Sequence, residues 1–513
     1  MKKFKRIGLL TLLTTSLSLT GCIFNFGFLT PDEIDRNSMT CTYKDYMEQN
    51  IYDIDSTPCE GNPKILVVPI WFTDSYLYLK PAEKEQVRQD IETAYFGTNE
   101  ETGWRSVKTY YEELSNHKIT LTGVVTDWYE VNETSRQYYS MKTGQPKTNA
   151  LVSTVVEWYR EQSGDTTMTS FDSDHNGYLD GVMLIYGSPD YGALANNNAS
   201  NMWAYCFWLQ TGLRNKNMPN PNVFFWASYD FMYGSNSTIG TYHSGDTRYE
   251  KIDTHTFIHE MGHMFGLEDY YDYSGKYIPA GGFSMQDYNV GSHDPYSATA
   301  LGWTNVYAPK DSCVLELKSF QKSRDVILLN NKFTGTPFDE YLLLELYTPD
   351  GLNEFDSHHM YKSGYPMGAS SVGIRLWHVD ARLLACTEED NQMVIHYITN
   401  EMTNQYRYTH AMSNTYYLKD SDSNSYVSPL GEDYANYNIL QLIKNSTYET
   451  YKSSSLLANY FLFKAGDKFT PQKYAKQFVG GKNFNNGEGI KWSFEVKSIV
   501  GDTATIKLEK SII

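Results

Sequence analysis

The chain has 513 residues with 41% apolar and 20% charged residues, an ordinary globular composition too long for one core. Its formal charge of −18 argues against nucleic-acid binding, which needs clustered lysine and arginine. Aromatic residues are frequent, at 15% with 43 tyrosines, and by themselves carry no chemistry.

Lys2, Lys3, Lys5 and Arg6 precede a short apolar run from Ile7 to Leu19, too short to span a membrane stably. Leu19-Thr20-Gly21-Cys22 follows and resembles the bacterial lipoprotein signal, in which the cysteine thiol is lipidated. That resemblance implies an exported protein held on the outer face of the membrane by Cys22. Beyond Cys22, the cysteines are Cys41, Cys59, Cys206, Cys313 and Cys386, an odd number with no CxxC spacing. Cys41 and Cys59 either close a small loop or stay as thiols.

Residues 1–22 therefore read as signal and anchor, and 23–62 as a tether or short leader. Ile65–Phe72 is a continuous apolar strand in which Pro69 predicts an edge or a bulge. Pro81 opens a helix with Val87, Ile91 and Tyr95 on one face. Ser106–Leu114 reads as a second helix, Ile119–Trp128 as a strand, and Asn149 as the cap of a helix through Gln162. Gly181–Tyr186 is a further strand. Helices and strands alternate to about residue 308, so 63–308 is expected to be one α/β (α+β) domain. Leu342–Leu346, Ile374–Val379, Phe494–Ile499 and Thr503–Leu508 are strand-like, with a turn at Gly501-Asp502. Residues 309–513 are expected to form a β-sandwich-rich C-terminal region.

The stretch with chemical content is His259-Glu-Met-Gly-His263-Met-Phe-Gly-Leu-Glu-Asp269. Asp253 or Thr254 can cap a helix here, with Ile258, Met261 and Phe265 on its core face. His259 and His263 are four apart and project from one side, which suits two ligands of a tetrahedral zinc ion. Glu260 lies beside them and can take a proton from a water polarised by the metal as that water attacks a carbonyl. Gly266 is placed to end the helix in a left-handed turn, which folds Asp269 back as a third ligand. No glutamate occurs between Glu268 and Glu316, so a third ligand from a later helix finds no candidate.

HEMGHMFGLEDYYDY resembles the active-site segment of the immune inhibitor A family of metallopeptidases, a metzincin-like group with the pattern His-Glu-x-x-His-x-x-Gly-x-x-Asp. KILVVPIWFTD (64–74), WRSVKTYYEELSNHKITLTGVVTDWY (104–129), GGFSMQDYNVGSHDPYSATALGW (281–303) and GIRLWHVD (373–380) also look like family blocks. The resemblance covers most of 63–380 and implies one catalytic Zn²⁺ on His259, His263 and Asp269, with Glu260 as general base. It implies protein or peptide substrates and a metzincin-like fold, with Met285 in the turn beneath the metal. Glu268 stands where many relatives have proline, which leaves it as a rival to Asp269 for the metal.

Asp172, Asp174, Asn176 and Asp180 fall at positions one, three, five and nine of a calcium-type loop, with Gly177 at six. Met183 replaces the closing glutamate, so an Asx-rich turn is the alternative. Asp420, Asp422 and Asn424 lack the glycine and read as a solvated loop. His378 and Asp380 read as a sheet pair, and Tyr288 and Tyr296 as packing residues. The rival functional reading is a non-catalytic surface-binding protein on a protease-like fold. A calcium-dependent structural module is the third.

Overall fold

In the computed structural model, the described residues are 54–511 except 193, 195–197, 234–251, 273–274, 333–334, 362–363, 390–391, 398–406 and 411–436, together with 35–36 and 44. Cys22, Cys41 and the loop Asp420–Asn424 lie outside them. The chain is a mixed α/β protein with several sheets and a smaller helical complement.

The first sheet has the order Thr122–Val125, Lys64–Phe72, Val182–Tyr186, Val223–Ser228, Tyr205–Trp208. The first four strands run parallel, and Tyr205–Trp208 pairs antiparallel at the edge. Side-chain alternation sends Ile65 and Val67 to one face and Leu66, Val68 and Ile70 to the other. The helices Lys84–Phe96, Val107–Leu114 and His255–Met264 cover the first face, and Met141–Ser163 covers the second. A sheet covered on both faces requires the continuous apolar runs seen in the sequence.

Three local expectations differ from the structure, the first two for identifiable reasons. Pro69 lies in the sheet interior, not at an edge. Lys64–Phe72 is flanked on one side by Thr122–Val125 as far as Val67 and by Tyr129–Val131 from Ile70 onward. Pro69 falls in the gap where the neighbour changes, so its missing N–H breaks no ladder there. The helix assigned to Asn149 starts much earlier, at Met141 with Ser140 as N-cap, and includes Pro146. A proline so near the N-terminus removes only one helical bond. The expected strand Ile119–Trp128 is confined to Thr122–Val125.

The second sheet has the order Asp35–Arg36, Asn305–Ala308, Asp325–Leu329, Glu340–Tyr347, Gly373–Asp380, Leu440–Ile443. A four-stranded sheet of Lys468–Phe469, Trp492–Val500, Thr503–Lys510 and Cys313–Lys318 stacks on it. The six-stranded sheet is buried on both faces. Leu342, Leu344 and Leu376 face the four-stranded sheet, while Leu343, Tyr347 and Trp377 join the core of the helical half. A shorter sheet pairs Gln392–Tyr397, Leu383–Glu389 and Arg407–His410.

Candidate metal centre and groove

The helix His255–Met264 is almost entirely buried, so it sits inside the protein rather than on its surface. Thr254 holds the N-cap position without a side-chain capping bond, and Asp253, one residue earlier, accepts the backbone N–H of His255 at 3.1 Å. Gly262 faces the Gln286 amide so closely that a Cβ would run into it, which explains glycine between the two histidines. The helix stops at Gly266, with φ +102°, and Leu267 N–H returns to the Gly262 carbonyl at 3.0 Å. That bond closes a Schellman-type turn and reverses the chain. Tyr270 N–H then bonds the Gln286 carbonyl at 2.8 Å, fastening the reversed chain to the Met285 turn.

This folding brings three donor atoms together. His259 Nε2 and His263 Nε2 lie 3.2 Å apart, and Asp269 Oδ1 lies 3.2 and 3.3 Å from them. Tetrahedral coordination with bonds of about 2.0–2.1 Å needs donors about 3.3 Å apart. Each ring is also held from behind. His259 Nδ1 donates to the Met285 carbonyl and His263 Nδ1 to the Leu267 carbonyl, both at 2.7 Å. Those bonds place the protons on Nδ1 and aim both Nε2 lone pairs at Asp269. Two lone pairs and a carboxylate converging on one point need a cation between them, so the residues fit a divalent metal ion. A proton competes for that point. Burial lowers the His263 pKa, but the Asp269 carboxylate outweighs it and lifts it to about 10. Burial opposes the Asp269 charge, yet the two histidines hold its carboxyl well below the usual range. Metal uptake therefore releases a proton.

Glu260 is 5% exposed, and its Oε2 is buried with no hydrogen-bond partner. Burial raises its pKa against the opposing pull of His263 and His259. Met285 is fully buried and contributes its carbonyl to His259. Glu268, the rival ligand, is half-buried and makes no ion pair or hydrogen bond among the described residues. Burial pushes it up to about 8. The groove over the centre encloses about 900 Å³ and is walled by the edge strand Tyr205–Trp208. Tyr288 lines it as well, while Tyr296 is fully buried elsewhere.

Other supports were not singled out in the sequence. Gln286 Oε1 faces His293 Nε2 at 3.1 Å, and the Tyr110 hydroxyl faces His293 Nδ1 at 2.9 Å. Arg375, on the six-stranded sheet, donates to the Phe283 carbonyl at 3.0 Å and pairs with buried Glu345 at 2.7 Å. The second sheet thereby steadies the segment that carries Met285. Gly262 was the only sequence signal for this packing, because it marks where another group approaches the helix.

His255 is sandwiched between Trp104 and Tyr361, with ring centroids 4.1 and 4.0 Å away. Its Nδ1 faces Asp253 at 2.9 Å and its Nε2 faces Asp356 at 3.3 Å. Burial disfavours its charge, but the two carboxylates win and raise the pKa to about 9. The folded value exceeds the unfolded one, about 6.5, so this stabilisation is complete below pH 6.5 and is lost as pH rises through 9. At about 1.4 kcal/mol per pKa unit it is on the order of 3 kcal/mol. Thermal midpoints measured from pH 6 to 9.5 should fall by several degrees. His255→Gln should be less stable at pH 6 and show a flatter profile; parallel profiles would refute the assignment.

The second acidic group joins Asp172, Asp174 and Asp180. Asp172 accepts N–H bonds from Asn176 and Gly177, and Asp180 accepts them from Ser173 and Lys64. Lys44 places its ammonium 2.9 Å from Asp174 and 2.7 Å from Asp55. The loop has the geometry of an Asx-rich turn and retains a donor set that can hold a cation. His378 and Asp380 do not share an ion: His378 pairs with Glu340 at 2.8 Å and Asp380 with Arg382 at 2.7 Å. Cys206 and Cys313 carry free thiols, both pushed up by burial. No protein-family model matches the chain, and no curated protein matches it.

Proposed function

We propose that the chain is a zinc-dependent endopeptidase with a metzincin-like catalytic half, related to the immune inhibitor A metallopeptidases that its motifs resemble. The observation that carries this reading is the convergence of His259 Nε2, His263 Nε2 and Asp269 Oδ1 beside the unpartnered Glu260 Oε2. Bound zinc would polarise a substrate carbonyl and acidify water. Glu260 Oε2 has no competing hydrogen bond and can take a proton from the attacking water. It then delivers that proton to the amide nitrogen as the C–N bond breaks. Two histidines and a carboxylate also suit ferrous iron. The buried carboxylate of Glu260 beside the donors favours hydrolysis, because it supplies the base that hydrolysis requires.

The groove supports an extended substrate. Tyr205–Trp208 is an edge strand over the centre, and such an edge can pair with a peptide backbone. The test is metal removal followed by readdition of zinc or iron, scored by cleavage of unfolded casein. Zinc-restored cleavage is expected. A fully zinc-loaded protein that leaves casein intact would favour the non-catalytic binder instead.

The acidic loop Asp172–Asp180 offers only oxygen donors, so its metal would be calcium. Lys44 supplies positive charge there, and calcium would compete with that ammonium. For location, the reading is export with a lipid on Cys22, which rests on the basic start, the apolar run and the Leu-Thr-Gly-Cys sequence. Among the described residues no helix is long and apolar enough to cross a membrane. Cys22→Ser should release the protein from the membrane fraction; an unchanged membrane fraction would reject lipid anchoring.

A further inference from the structure

The groove has a charge pattern that the metal centre does not require. Besides Glu260 and Asp269, it is lined by Glu268, Asp272 and Asp287, and among the described residues no lysine or arginine lines it. A divalent metal would balance Glu260 and Asp269, whereas burial opposes the charge on Glu268 and Asp287, which a cation lying in the groove would favour. Asp272 accepts the N–H groups of Lys276 and Tyr277 through Oδ2, each at 3.2 Å. Asp287 accepts Gly282 N–H at 2.7 Å through Oδ2, while its Oδ1 is buried without a partner. Lys444 is the cation whose charge reaches Asp287, and its ammonium is bound to Ser453 and Ser455 outside the groove. Glu268 makes no hydrogen bond or ion pair among the described residues.

A half-buried carboxyl group with no hydrogen bond takes up its charge readily only when a ligand supplies the counter-charge. Glu268 sits immediately before Asp269, so that counter-charge would lie next to the reacting bond. The edge strand passes nearby, since Tyr205, Cys206 and Trp208 line the same groove as Glu260 and Glu268. Trp203, Trp208, Phe231, Tyr271 and Tyr365 complete the wall. Aromatic faces and carboxylates together accommodate an aliphatic stem ending in a cation. The chain charge of −18 steers basic peptides toward the protein.

We propose that this groove selects substrates with a lysine or arginine side chain beside the cleaved bond, and that Glu268 is the residue that determines this preference. The inference rests on the peptidase reading and names the substrate class of the same site. The test uses otherwise identical peptides carrying lysine, norleucine or glutamate at each position around the cleaved bond in turn. In the zinc-loaded protein, kcat/KM for lysine should exceed that for norleucine by about tenfold or more at one position. Added salt should weaken that preference. Glu268→Gln should bring the lysine-to-norleucine ratio toward one, a change that loss of packing alone would not produce between two peptides of equal length. A ratio near one in the parent protein, or an unchanged ratio in Glu268→Gln, overturns the proposal. The same peptides are also titrated onto zinc-loaded Glu260→Gln by calorimetry. If no peptide is cleaved but the lysine peptide binds about tenfold more tightly, the groove assignment stands and the peptidase reading falls. Equal binding of the two overturns the groove assignment.

Discussion

Glu260→Gln is expected to keep its zinc and lose peptide cleavage by about 10³-fold, the scale of a lost general base. The substitution keeps shape and hydrogen-bonding length, so the helix His255–Met264 should be undisturbed. It removes a group beside the donor set that can accept a proton without first breaking a hydrogen bond, since Oε2 of Glu260 has none. Burial already opposes the charge on Glu260. Replacing it with a neutral amide should therefore leave the thermal midpoint unchanged or raise it, as expected where stability is sacrificed to activity. That gain separates loss of chemistry from loss of structure. Casein cleavage, zinc content and the thermal midpoint are measured on the same preparation. Cleavage at the parent rate with full zinc would remove Glu260 from the mechanism.

The same helix shows what a sequence reveals. His259 and His263 share a face because of their spacing, and Gly266 ends the helix where a glycine is needed; both are local consequences of covalent geometry. The two central strands, Lys64–Phe72 and Val182–Tyr186, were equally legible because burial on both faces leaves an unbroken apolar run. Pro69 was misread because its tolerance depends on which strand lies alongside, a fact of tertiary pairing. The start of the helix capped in sequence at Asn149 was placed too late, because Pro146 is harmless so near the true start at Met141. The supports of the site were not legible. Arg375 reaches Phe283 across 92 residues of chain, and Tyr110 reaches His293 across 183. An arginine in an apolar strand predicts a buried partner, but nothing local says which. Two strands of the six-stranded sheet were legible, whereas Asn305–Ala308, Asp325–Leu329 and Leu440–Ile443 were not, nor was the sheet's burial against both halves of the protein. Its strands Glu340–Tyr347 and Gly373–Asp380 are buried throughout, and that pattern alone does not name the neighbours.

The third ligand gives the other large effect. Asp269→Ala should weaken zinc binding by more than about 100-fold, beyond what losing a supporting hydrogen bond costs. The folded chain gives the reason. After Gly266 reverses direction, Asp269 turns its Oδ1 toward both Nε2 atoms, within 3.3 Å of each. Its short side chain sits on a backbone already pinned by the Leu267 and Tyr270 N–H bonds, so little entropy is lost in holding the carboxylate there. Glu268 precedes it by one residue and lines the groove without pairing to either histidine. Glu268→Ala should therefore bind zinc nearly as the parent does while losing discrimination between basic and neutral peptides. Equilibrium dialysis against buffered zinc compares the two variants directly. Loss of metal from Glu268→Ala with retention in Asp269→Ala would reverse the ligand assignment and remove the free carboxylate on which basic-substrate selection depends. The peptidase reading would survive that result, because a carboxylate from either residue completes the same donor set around His259 and His263.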